Sequence, residues 1–316
     1  MNTKNTFDCK EQRFIKTLNL SVASYVHQET GAEHIHFETD NVENVFLVAL
    51  RTMPMNSMGV AHILEHTALC GSKRYPVRDP FFLMIRRSLN TFMNAFTGSD
   101  CTYYPFASQN PKDFLNLLDV YLDSVFFSRL DPLDFAQEGH RLELEEHSET
   151  QSDLMLKGIV YNEMKGDMSS AISQLYAKLN HNLFPTTTYH YNSGGDPKEI
   201  PLLKYLDLKA FYQSHYHPSN AIFMTYGDIP VSDLQSRLEN NVLQYFKKRG
   251  ERISVSPEVR YSQPVRATEY YPEPSCKART HVVLAWLFGE SRDLMMLMRC
   301  NPVSYTHLTL PTNREV

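Results

Sequence analysis

Residues 61–76, AHILEHTALCGSKRYP, decide how the chain is read. They hold two histidines, His62 and His66, with Glu65 just before the second. An α-helix turns once every 3.6 residues, so His62 and His66 share a face, both imidazoles reach a common point, and Glu65 projects beside them. Gly59 suits the start of such a helix and Gly71 its C-terminal cap, with Pro76 a little beyond. Neutral imidazole nitrogens suit zinc. With a third protein ligand they leave one position for water, whose proton a neighbouring carboxylate can take. H-x-x-E-H fixes only three positions, and a surface helix with two ordinary histidines reads the same, so the flanking chain has to decide.

Upstream, SVASYVHQ, HIHFET and VFLVALRT alternate apolar and polar residues between Ser21 and Thr52, which predicts strands of an antiparallel sheet. Downstream come a helical stretch DPFFLMIRRSL, a strand pair around NAFTGSDCTYYPF, and a helix over residues 111–127 with apolar residues every three to four positions. Residues 158–183 predict one further helical segment, DLKAFYQSHY a helix, AIFMTYGDI a strand, and VSDLQSRLENNVLQYFKK a last amphipathic helix ending near Gly250. The fold class is α+β, a mostly antiparallel sheet with helices packed on it. Residues 1–250 form the first domain. Residues 251–274, with Pro257, Pro264, Pro272 and Pro274, read as a linker, and residues 275–301, with THVVLAWLF as a strand, as the start of a second, similar domain.

Of 316 residues, 42% are hydrophobic and 21% charged, as in an ordinary globular protein, and the net charge of -5 gives no reason to expect nucleic acid or an anionic membrane as partner. No apolar run approaches the roughly 20 residues that cross a bilayer. Cys9, Cys70, Cys101, Cys276 and Cys300 are scattered and never in a C-x-x-C pair, against a disulfide framework or a thiolate zinc site. The N-terminal stretch lacks the marks of a secretory or transit peptide, so a cytoplasmic location is expected. From the residues alone the third ligand stays open among Glu138, Glu143, Glu145, Glu146 and Glu163.

The chain resembles the pitrilysin/insulysin family of inverted zinc metallopeptidases, most closely its presequence-protease branch. The resemblance lies in residues 59–82 (GVAHILEHTALCGSKRYPVRDPFF), 88–127 (SLNTFMNAFTGSDCTYYPFASQNPKDFLNLLDVYLDSVFF), 158–169 (GIVYNEMKGDMS), 193–197 (SGGDP) and 215–229 (HYHPSNAIFMTYGDI). It implies one zinc ion held by His62, His66 and Glu163, with Glu65 as general base, in a metalloendopeptidase acting on short unstructured peptides. A non-catalytic zinc-binding or scaffold member of the same family is the alternative. Leu156 stands where pitrilysin-type members carry another acid two helical turns before the ligand, so the outer support of the site is unassigned.

By the same resemblance, Asn94, Ala95, Phe96 and Thr97 form the edge on which a peptide lies by strand addition, main chain to main chain, which admits only extended substrates. Leu69, Phe81, Phe82 and Ile85 resemble an apolar specificity wall, although core packing explains at least two of the four equally well. Cys70 reads as a small core residue, and His140, His181, His190, His215 and His217 as structural. Family members of this branch are similar to a clam of four related domains in two halves, the second half completing the chamber. Val303 to Thr312 resembles the translation of a transposase sequencing adapter. Residues 302–316 are therefore expected to be foreign, and the C-terminal half of the parent chain to be the missing partner.

Overall fold

The computed structural model describes residues 6–144, 153–250, 252–272 and 280–303. Ten strands occur among them: β1 (Phe7–Ile15), β2 (Leu20–His27), β3 (Glu33–Glu38), β4 (Asn44–Arg51), β5 (Asn90–Met93), β6 (Phe96–Thr97), β7 (Cys101–Ser108), β8 (Arg141–Leu144), β9 (Leu154–Lys157) and β10 (Ala221–Gly227). The helices are α1 (Val60–Ala68), α2 (Pro80–Arg87), α3 (Pro111–Phe126), α4 (Pro132–Glu138), α5 (Ile159–Asp167), α6 (Ala171–Leu183), α7 (Tyr205–His215), α8 (Val231–Asn241) and α9 (Leu294–Val303).

The main sheet runs β1-β2-β3-β10-β4-β7-β5, and β6 continues the β5 edge along β7. Every pair is antiparallel except β3 with β10. One face is fully buried because alternate residues of the central strands are large and apolar. Phe46, Val48 and Leu50 of β4, Tyr104 and Phe106 of β7, and Phe223 of β10 lie against α1 and α3. Burying each such side chain contributes about 1.5–3 kcal/mol. The Tyr104 and Tyr216 hydroxyls meet at 2.7 Å, which satisfies both inside the core.

Several expectations need correction. The single helix expected over residues 158–183 is two, α5 and α6, because the Ser170 side chain accepts from Ser173 N and starts a new helix. The helix expected to end near Gly250 stops at Asn241, and a short 3-10 turn follows. β1 was not expected: it is an outer strand, burying only Phe7, and it lacks the alternation of a half-buried strand. THVVLAWLF is not a strand, for no neighbouring strand lies beside residues 280–288 among the described residues to complete its hydrogen bonds. Most of the expected foreign tail, residues 304–316, and the alternative ligands Glu145 and Glu146 lie outside the described residues.

Candidate metal centre

Gly59 opens α1 with a left-handed φ of 71°, and a Cβ there would stand 2.9 Å from the Gly194 carbonyl oxygen. Only glycine lets the 192–195 loop approach this closely. Seven of the helix's residues, including Ile63, Leu64 and Glu65, are buried, which leaves His62 and His66 on the remaining face. Their rings stand 5.0 Å apart.

The third element arrives through a second glycine contact. A Cβ on Gly158 would collide with the Gly139 carbonyl, so only glycine lets the start of α5 lie against the end of α4. Val160 and Met164, one turn apart, anchor α5 in the core and leave Glu163 pointing outward between them. Its Oε2 lies 3.6 Å from His62 Nε2 and 3.9 Å from His66 Nε2. One ligand atom from each of His62, His66 and Glu163 falls within 4.8 Å of the others, and no other such group occurs among the described residues. Tetrahedral zinc with bonds of about 2.0–2.1 Å separates its ligands by about 3.4 Å, so these residues fit it with small rotations.

The outer nitrogens fix the tautomers. His62 Nδ1 stands 3.1 Å from the Gly194 carbonyl, which can only accept, so Nδ1 donates and Nε2 keeps its lone pair. His66 Nδ1 stands 3.1 Å from Glu138 Oε2, with the same consequence. Leu156 lies in β9, paired with Leu142. The outer support of the site thus comes from Glu138 and a loop carbonyl. The sequence offered Glu138 only as a ligand candidate and gave no signal for Gly194; Glu143 instead pairs with Lys157 on the β8–β9 hairpin.

Glu65 is buried beside the pair and receives a hydrogen bond from the Thr97 hydroxyl. Burial pushes its carboxyl above the usual range, against the Thr97 bond and the two histidines, which pull the other way. For His66, burial opposes the charged form, but the bond to Glu138 and the surrounding carboxylates outweigh it and the value is raised. Cys70 donates to the His66 carbonyl and burial drives its thiol pKa up, so it stays a protonated core group.

Of the expected peptide edge, Phe96 and Thr97 pair with β7, Asn94 N bonds the Pro105 carbonyl of the same strand, and Ala95 completes the link from β5 to β6. Of the expected apolar wall, Leu69 and Phe81 pack in or against the core, while Phe82 and Ile85 face solvent. His215 stacks on Phe211 and His217 accepts from Ser219 N, both structural, and His140 bonds the Leu203 carbonyl.

Residues 51–173 match the family model of insulinase (Peptidase family M16), and residues 203–298 match that of the peptidase M16 inactive domain. The chain belongs to this family of peptidases. It is 44% identical over 316 residues to the presequence protease, mitochondrial, of Danio rerio, covering 98% of this chain and 31% of that protein. The Xenopus tropicalis protein of the same name is 48% identical over 258 residues, 82% of this chain and 25% of the relative. The chain therefore spans between a quarter and a third of the length of these relatives. The fold is similar to crystalline pitrilysin (TM-score 0.62, 15% identity, 81% of this chain and 26% of that one) and to a protease from Helicobacter pylori (TM-score 0.57, 19% identity, 73% and 51%). The relatives are named mitochondrial, so the expected cytoplasmic location has no support in them. No helix among the described residues is long and apolar enough to cross a membrane.

Proposed function

We propose that the whole protein is a zinc metalloendopeptidase that cuts short unstructured peptides, with His62, His66 and Glu163 holding one zinc ion. The observation that carries this reading is the convergence of these three ligand atoms within 4.8 Å beside the buried carboxyl of Glu65. Bound zinc would supply an acidified water and a polarised peptide carbonyl. Glu65 takes the proton of the attacking water and returns it to the leaving amine, a role its raised pKa suits. Gly194 and Glu138 hold the two imidazoles in the tautomer that faces the ion. The open edge of β6 gives an extended peptide its main-chain partners, and a folded protein has no free strand to offer.

Residues 1–250 act as the zinc-binding domain, 251–274 as a linker and 275–301 as the start of a second domain, with 302–316 foreign. The chain spans between a quarter and a third of these relatives' length, and in this reading the rest of the parent closes the chamber, so the present chain turns over slowly. The relatives' names favour a mitochondrial compartment. The test is turnover of a quenched unstructured peptide by the zinc-loaded full-length parent and its Glu65→Gln variant. Cleavage lost in the variant with zinc content unchanged is expected. Equal turnover by both removes Glu65 as the base, and zinc binding without any turnover favours a non-catalytic family member.

A further inference from the structure

The two ends of α1 differ in chemistry. At its C-terminal end stands Leu69, and Asp79 N bonds the Cys70 carbonyl, which seats the start of α2 there with the exposed Phe82 and Ile85. At its N-terminal end the 192–195 loop touches Gly59, and Asn192 and Ser193 of that loop form one wall of a polar cleft of about 260 Å3. Ser99, just past β6, and Asp167, Tyr176 and Asn180 add further polar groups to it, beside Met168 and Ala177. Asp167 carries the only full charge among the described lining residues, and it lies one turn beyond Glu163 on the same face of α5. Its Oδ1 accepts from Ser173 Oγ at 2.9 Å. The cleft is also tied to the metal centre: Asn192 Oδ1 accepts from Gly194 N, and the Gly194 carbonyl meets His62.

The nine residues of α1 span about 13 Å at 1.5 Å per residue, which an extended peptide at about 3.3 Å per residue covers in about four. Side chains of an extended chain alternate, so two residues four apart face the same wall. We propose that this cleft is a second side-chain subsite, taking lysine or arginine about four residues from the side chain held against Leu69, Phe82 and Ile85. Asp167 is the acceptor that selects a cation, and the phenol and amides of Tyr176, Asn180 and Asn192 receive the remaining donors. The subsite rests on the peptide reading proposed above.

The experiment measures binding, so that it stands apart from turnover. The zinc-loaded chain carrying Glu65→Gln is titrated with fluorescein-labelled unstructured decapeptides that hold one leucine anchor and lysine, glutamine or glutamate at a single position. Lysine is expected to bind roughly three- to fivefold more tightly than glutamate at four residues from the anchor, the yield of one exposed ion pair. Asp167→Asn is expected to remove that discrimination. Equal affinities for lysine and glutamate at that spacing overturn the subsite, as does absence of binding. The same lysine preference at every spacing also overturns it, since that is general attraction to an acidic chain. Discrimination that survives where the parent cleaves no peptide keeps the subsite and sinks the peptidase reading.

Discussion

The imidazole of His66 is held between two carboxylates from adjacent helices, with Nδ1 3.1 Å from Glu138 Oε2 and Nε2 3.9 Å from Glu163 Oε2. Glu138 is buried, so its carboxyl oxygen meets the His66 ring and not solvent. Groups that orient a metal-bound histidine typically matter 10–100-fold in metal affinity. Glu138→Ala should therefore weaken zinc binding by about that factor, measured by competition with a chromophoric chelator. Glu138→Gln keeps an acceptor oxygen and should lose less. Equal zinc affinity in wild type and both variants would show that His66 needs no such partner.

Gly59 makes a stability prediction with an internal control. Its left-handed φ of 71° and the 2.9 Å approach to Gly194 both penalise a methyl group, so Gly59→Ala should cost about 2–3 kcal/mol and loosen the loop that meets His62. Gly166 lies within α5 with nothing within 4 Å of its would-be Cβ. Gly166→Ala should stabilise by about 0.4–1 kcal/mol. Thermal unfolding of the two variants reads opposite signs if the backbone argument holds.

The strands β3, β4 and β10 were legible because each buries one face, and alternation is the direct record of that; β2 buries only Ala23 and His27 and was legible from its own apolar–polar alternation. The ligand helix was legible for the same reason at period 3.6. What escaped has a common cause: it depends on residues far apart in sequence. Glu138 closes α4 and Glu163 sits in the middle of α5, and only the Gly139–Gly158 contact sends one to the outer nitrogen of His66 and the other to the inner side. The Gly194 carbonyl has no side chain to betray it. THVVLAWLF carries strand-like composition, but composition without a neighbouring strand does not make a strand.

On the buried side of the sheet, one hydroxyl serves two rings. Thr225 Oγ1 lies 2.8 Å from both His34 Nε2 and His36 Nδ1, so it donates to one and accepts from the other. Burial first, and then the neighbouring His36, lowers the His34 pKa to about 3. In the unfolded chain it returns to about 6.5, so between these values the unfolded state binds more protons and stability falls as pH falls. The contribution is complete above pH 6.5 and is lost on the way to pH 3, on the order of 3–5 kcal/mol. Urea unfolding from pH 7 to pH 4 should show His34→Gln losing less stability over this range than wild type. Parallel curves would refute the assignment.

In the extended segment after the sheet, which Tyr261 ties to the Asn182 carbonyl, one carboxylate gathers a further four bonds. Glu258 accepts from Thr186 N at 3.2 Å, Thr187 N at 3.1 Å and Thr187 Oγ1 at 2.8 Å, and also from the Thr186 hydroxyl. Partial burial opposes ionisation, but the threonine bonds outweigh it and hold the carboxyl below its usual range. The docked state is therefore present above the ordinary carboxylate pKa and is released as pH falls through the lowered folded value. From this anchor the chain runs through Thr188, whose hydroxyl bonds the Pro54 carbonyl, to the loop that meets His62. Glu258→Ala should raise hydrogen exchange at the Thr186 and Thr187 amides about tenfold or more, since each loses its acceptor. It should also speed proteolysis within residues 253–261. Glu258→Gln has one acceptor oxygen in place of two and should fall between. If the two amides exchange at the wild-type rate in Glu258→Ala, some other contact holds the segment and the loop gains nothing from this carboxylate.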